Sequence, residues 1–74
     1  MSHFPSLKPR QLVQVTQKLG FVFDRQKGSH AVYLRSDDRR RVVIPMHNKD
    51  IKQGTLRGII SDLGLTPEEF FKLV

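Results

Sequence analysis

There is no cysteine anywhere in this 74-residue chain, which removes disulfides, thiolate metal sites and a cysteine nucleophile together. The fold must hold by packing alone. Long apolar runs are missing too: no segment approaches the ~18 consecutive apolar residues of a membrane span. Residues 1–6 carry neither the basic start nor the apolar stretch of a signal region, so a cytoplasmic protein with no membrane partner is the expectation. The three histidines form no HExxH pair and adjoin no carboxylate cluster, so neither a metal site nor a cofactor is expected. Repeats, linkers and low-complexity segments are absent as well. At this length 1–74 reads as a single domain with a small core.

Acidic residues are also few. Lys plus Arg number 13 against 7 Asp plus Glu, a formal charge of +6 with a sequence pI near 10.4. Such a balance favours a polyanionic partner, most simply nucleic acid.

Hydrophobic spacing divides the chain. Pro9 suits a first helical position; Leu12, Val15 and Leu19 recur at helical spacing, and Gly20 supplies a stop. Lys8 is a poor N-cap there, although Leu7 can staple onto Leu12. From Phe21 the period changes to two, giving a first strand with Phe21 and Phe23 on one side and Val22 and Asp24 on the other, leaving at Arg25. Gln26 to Ser29 reads as the turn. A second strand, His30 to Arg35, is expected to put Val32 and Leu34 inward, with Tyr33 and Arg35 toward solvent. Strict alternation then aims His30 toward the helix side, unless its place at the strand's start carries it past the end of the sheet. A polar hairpin over 36–39 leads to a third strand, Arg40 to Pro45, with Val42 and Ile44 inward and Arg41 outward. Met46 to Gln53 is a polar loop. A second helix from Gly54 places Leu56, Ile59, Ile60 and Leu63 on one face, with Gly58 in its middle suggesting close packing. Thr66-Pro67-Glu68-Glu69 is a capping box that opens a short last helix through Leu73, with Leu65 stapled to Phe70.

The order is α-β-β-β-α with a short C-terminal helix: an α+β domain in two layers, a three-stranded antiparallel sheet with its helices on one face. This resembles the double-stranded RNA-binding fold, which by itself does not fix function.

Motifs narrow the field. The runs Gly20-Phe21 and Arg25-Gln26-Lys27-Gly28-Ser29-His30 with Tyr33, then Val43-Ile44-Pro45-Met46-His47, then Gly54-Thr55-Leu56-Arg57-Gly58-Ile59-Ile60 and Leu63-Gly64-Leu65 with the following Glu-Glu-Phe, closely resemble the HicA family of small bacterial toxins. The resemblance covers roughly 7–71. It implies an mRNA interferase, an RNA-cleaving toxin neutralised by a HicB-like antitoxin protein, with the histidine of the Gly-Ser-His motif, His30, as catalytic residue. Ala31 stands where related chains often carry a larger residue, and the hairpin at Ser36-Asp37-Asp38 lacks the glycine common there.

The residues support the same chemistry on their own terms. An imidazole, with an unperturbed pKa near ~6.5, can exchange a proton near neutral pH. RNA is cut without metal if a base takes the 2′-OH proton and cations steady the charge on phosphorus. On spacing alone His30 reads more readily as a polar residue hydrogen-bonded to the turn, and it is the resemblance that favours catalysis. The candidates for RNA contact are Lys27 and the Arg39-Arg40-Arg41 triplet for phosphates, Ser29 as turn former beside the histidine, Tyr33 as a stacking ring, and His47 as the second member of an acid-base pair. His3 is expected in a frayed terminus. The alternative function is a non-catalytic RNA-binding module that reads helices by shape.

Overall fold

The computed structural model describes residues 4–74; the expectation for His3 lies outside them. Helix α1 (Pro9–Lys18), strands β1 (Val22–Lys27), β2 (His30–Arg35) and β3 (Arg40–Pro45), and helices α2 (Gln53–Asp62) and α3 (Pro67–Phe71) succeed one another. The strands form one antiparallel sheet in the order β1-β2-β3. The shortest dimension is 16 Å, the thickness of one sheet with one layer of helices.

Each helix ends where its local chemistry stops it. Proline opens α1 at a position whose N–H has no intrahelical partner, and the Gln11 side chain accepts from the Lys8 N–H at 2.9 Å, so Lys8 caps through its backbone. After Leu19 the chain turns left-handed at Gly20 (φ +91°). There Phe21 N–H bonds Thr16 C=O and Gly20 N–H bonds Gln17 C=O, the paired closure that a glycine at this position permits. The same closure ends α2 at Gly64. At α3, Thr66 Oγ1 accepts from the Glu69 N–H and Glu69 Oε1 from the Thr66 N–H, the reciprocal box expected from Thr-Pro-Glu-Glu.

The core lies between the helices and one face of the sheet. Leu7, Leu12 and Val15 meet Val42 and Ile44 of β3 and Leu56, Ile59, Ile60 and Leu63 around α2, with Phe70 closing the end. Ala31 and Tyr33 join them, which corrects the expected parity of β2. Because cross-strand partners share a face, Tyr33 goes with its partner Val42 and Ala31 with Ile44. Val32 and Leu34 therefore lie on the face without helices. Arg35 is also on the helix side: its guanidinium sits 4.5 Å above the Phe21 ring and donates to Leu19 C=O at 2.7 Å.

Two further expectations change. Strand β1 runs to Lys27, and the turn shrinks to Gly28-Ser29, with Gly28 at φ +60°, the pattern of a two-residue II′ hairpin. Gly58 has no close neighbour: a Cβ built there meets nothing within 4 Å. Its place in α2 is not explained by packing.

Candidate active site

The helix-free face of the sheet is organised in three rows. Lys27, His30 and Pro45 are partners across the first, Arg25, Val32 and Val43 across the second, and Val22, Leu34 and Arg41 across the third. Partners in a ladder project the same way, so His30 shares a face with Lys27, Arg25 and Arg41. Alternation with Val32 and Leu34, which on sequence aims His30 toward the helices, brings it out here, because those two residues are themselves on the open side.

A β-bulge makes this grouping possible. Phe21, Phe23, Arg25 and Lys27 have the same parity, and an uninterrupted strand would put all four on one side. The register slips between Phe23 and Arg25, leaving Asp24 as the extra residue. A bulge re-aims the side chains beyond it: Phe23 meets Tyr33 edge-on at 5.7 Å, while Arg25 and Lys27 turn to the opposite face.

His30 itself is exposed and lies where two grooves meet. One, of about 460 Å³, is lined by Arg25, Lys27, His30, Val32, Arg41 and Val43. The other, of about 300 Å³, runs past Ser29, His30, Val43 and Pro45 to His47, Lys52 and Thr55. The Ser29 carbonyl accepts from the Met46 N–H, which pins the turn to the end of β3 and fixes where the next residue starts. His47 is held by its own loop, its Nδ1 accepting from the Lys49 N–H at 3.3 Å. A neutral imidazole accepting at Nδ1 carries its proton on Nε2.

The structure thus brings Lys27, Ser29, His30, Arg41 and His47 together and separates the remaining candidates from them. Tyr33 is 6% exposed in the core, so its ring is not presented for stacking. Arg40 is turned away: its Nε bonds Asp38 at 2.9 Å and its Nη1 the Asp62 carbonyl at 3.2 Å. Arg39 occupies the left-handed region (φ +57°) at the hairpin and lines a separate groove with Val22, Phe23 and Leu34. The triplet therefore divides, Arg41 lining the groove with His30 and Arg39 and Arg40 lying outside it. Arg25, Lys52 and Thr55 were not singled out from sequence. For Arg25 the available signal was its spacing from Lys27, hidden by the bulge.

Charge on the two faces is managed differently. Arg35 grips Asp38 through two bonds, at 3.1 and 2.8 Å. This grip, aided by Arg40, holds the Asp38 carboxyl well below the usual carboxylate range, and the Arg35 pKa is raised in turn. On the open face, among the described residues, the only acid beside a cation is Asp24, 3.0 Å from Arg25. Among the described residues no three His, Asp or Glu side chains gather as a metal site would require. No helix there is long and apolar enough to cross a membrane.

A three-stranded antiparallel sheet with helices on one face and a basic, histidine-bearing surface on the other defines a small α+β domain like the double-stranded RNA-binding domain. The family model for the HicA toxin of bacterial toxin-antitoxin systems matches residues 9–65, which span α1, all three strands, α2 and every residue of the two grooves. The chain belongs to this family, and hence is a toxin whose system includes an antitoxin partner. No curated protein matches it.

Proposed function

We propose that the toxin is a metal-independent endoribonuclease, an mRNA interferase acting in the cytoplasm, with His30 as its proton-transfer residue. The observation that carries this is the position of His30: exposed where two grooves meet, paired with Lys27, and followed by a cation in each of the next two rows. The imidazole takes the 2′-OH proton, the freed oxygen attacks the adjacent phosphorus, and the bond to the 5′-oxygen breaks. That leaving oxygen takes up a proton, for which His47, lining the adjoining groove with His30, is the candidate. The products are a 2′,3′-cyclic phosphate and a 5′-hydroxyl. Lys27 lies where charge grows on the phosphoryl oxygens.

A HicB-like antitoxin would silence this by covering the open face, and an acidic one suits the +6 charge. The deciding experiment is cleavage of a mixed-sequence RNA with chelator present, comparing the intact protein with a folded His30→Ala variant. We expect cyclic-phosphate ends from the intact protein and a loss on the order of 10²- to 10⁴-fold in the variant. Equal cleavage by both, or 3′-hydroxyl ends, would refute the mechanism. Binding without cutting by either, ribosomes included, would leave a non-catalytic RNA-binding module.

A further inference from the structure

We propose that the helix-free face is a three-rung phosphate ladder. Lys27, Arg25 and Arg41, one cation in each row of the sheet, hold successive phosphates of one RNA strand whose scissile linkage lies at His30. The inference rests on the ribonuclease reading above and adds to it the path of the substrate and a residue, Arg25, with no role so far.

The rows are spaced by two residues along β2 and β3, about 7 Å, and the bulge in β1 takes up one extra residue between Arg25 and Val22. Every row has one cation and no more: Lys27 beside His30, Arg25 beside Val32, Arg41 beside Leu34. Among the described residues Lys27 and Arg41 enter no ion pair, and Arg25 pairs only with its neighbour Asp24. That pair is exposed, with 67% and 33% of the two side chains accessible, so a phosphate can displace it at little cost. The arginines on the other side of the sheet are already committed: Arg35 and Arg40 both bind Asp38. The protein thus spends its scarce acid on one face and leaves the other cationic.

The bulge at Asp24 supports the same conclusion. It costs a break in the ladder at the middle of a short edge strand, and its consequence is that Arg25 and Lys27 leave the aromatic side and join His30. Between the cations lies an apolar floor of exposed Leu34 and half-buried Val43, underlain by the buried Val32. Such a floor has nothing to meet in a duplex, whose bases are stacked inside, whereas a single strand can lay riboses and bases against it while its phosphates face the rungs.

The test uses full-length protein carrying His30→Ala, so that RNA is bound without being cut, and measures affinity for a single-stranded oligonucleotide across a range of salt. Each phosphate neutralised contributes about −0.7 to the slope of log affinity against log salt for single strands. Arg25→Gln and Arg41→Gln should each flatten the slope by about 0.7 and their combination by about 1.4. Arg25→Lys should restore it, and Lys72→Ala, on the helix side, should leave it unchanged. The same RNA annealed to its complement should bind more weakly. Unchanged slopes in the two Gln variants, or tighter binding of the duplex, would overturn the ladder even if His30-dependent cleavage stands. Flattened slopes in a protein that never cuts would keep the ladder and remove the nuclease.

Discussion

Lys27 and His30 are direct partners across the turn that joins β1 to β2, so ammonium and imidazole leave the sheet side by side. A base that removes a 2′-OH proton and a cation that meets the resulting charge must reach one linkage, and two-residue hairpin geometry fixes that spacing without a second element. Lys27→Gln keeps the stem and removes the charge. We expect single-turnover cleavage at saturating RNA to fall by about 10²-fold, the lower end of what one electrostatic donor supplies, with thermal stability unchanged. An unaltered rate with weakened binding would make Lys27 a ground-state contact only.

Asp38 ties the second hairpin together, accepting from Arg35 on β2 and from both the backbone and side chain of Arg40 on β3. Its folded-state pKa is depressed, chiefly by the Arg35 hydrogen bonds, so the carboxylate stabilises the fold above its unfolded pKa near ~3.9. That contribution is lost as pH falls from there through the folded pKa. Asp38→Asn should melt below the parent at pH 7, and the gap should narrow steadily from about pH 4 downward. A gap that is constant with pH would mean the carboxylate's charge is not what the hairpin uses.

Gly58 lies exposed in the middle of α2 with open space where a Cβ would be. A helix-interior glycine costs about 0.8–1.0 kcal/mol relative to alanine, and here no close contact offsets it. Gly58→Ala should raise stability by about that amount, read as a higher denaturant midpoint with unchanged slope. Loss of stability would reveal a close approach that the fold does not show.

The contrast between strands β2 and β3 explains which parts of the architecture could be read from the residues. Strand β3 alternates cleanly, Arg41 and Val43 against Val42 and Ile44, and its inward face is plain from that pattern. In His-Ala-Val-Tyr-Leu-Arg both faces carry apolar residues, so local alternation favours the larger aliphatics Val32 and Leu34 over Ala31 and Tyr33, and that choice is inverted. The deciding information is non-local: a loop over 36–39 pairs Arg35 with Arg40, and counting back along the ladder puts Tyr33 opposite Val42 and Ala31 opposite Ile44. With that register, His30 emerges on the open face and Tyr33 in the core. The bulge was not legible in the same way, since nothing in the alternation of Phe21, Phe23, Arg25 and Lys27 marks Asp24 as unpaired. It emerges only when one end of β1 must match the core and the other the site. The stops at Gly20 and Gly64 and the capping box of α3, each set by two or three neighbouring residues, were legible, whereas the start of α2 at Gln53, after Lys52 with no side-chain cap, and the end of α3 at Phe71 were not.

The family match ends at residue 65, yet Phe70 of α3 is fully buried. Its ring meets Phe71 edge-on at 4.9 Å, and Phe71 in turn contacts Phe4 at 5.4 Å, so the last helix joins both ends of the described chain to the core. A buried Phe→Ala change costs about 3–5 kcal/mol, against a total stability of roughly 4–11 kcal/mol for a domain of this length. Phe70→Ala should therefore lower the melting temperature by at least about 12 °C, and cleavage should be lost through unfolding. The distinction from His30→Ala is then measurable by temperature: activity of the Phe70 variant should return on cooling below its transition, whereas the His30 variant should stay inactive while folded. A Phe70→Ala protein that melts within a few degrees of the parent would show that the domain closes its core without α3.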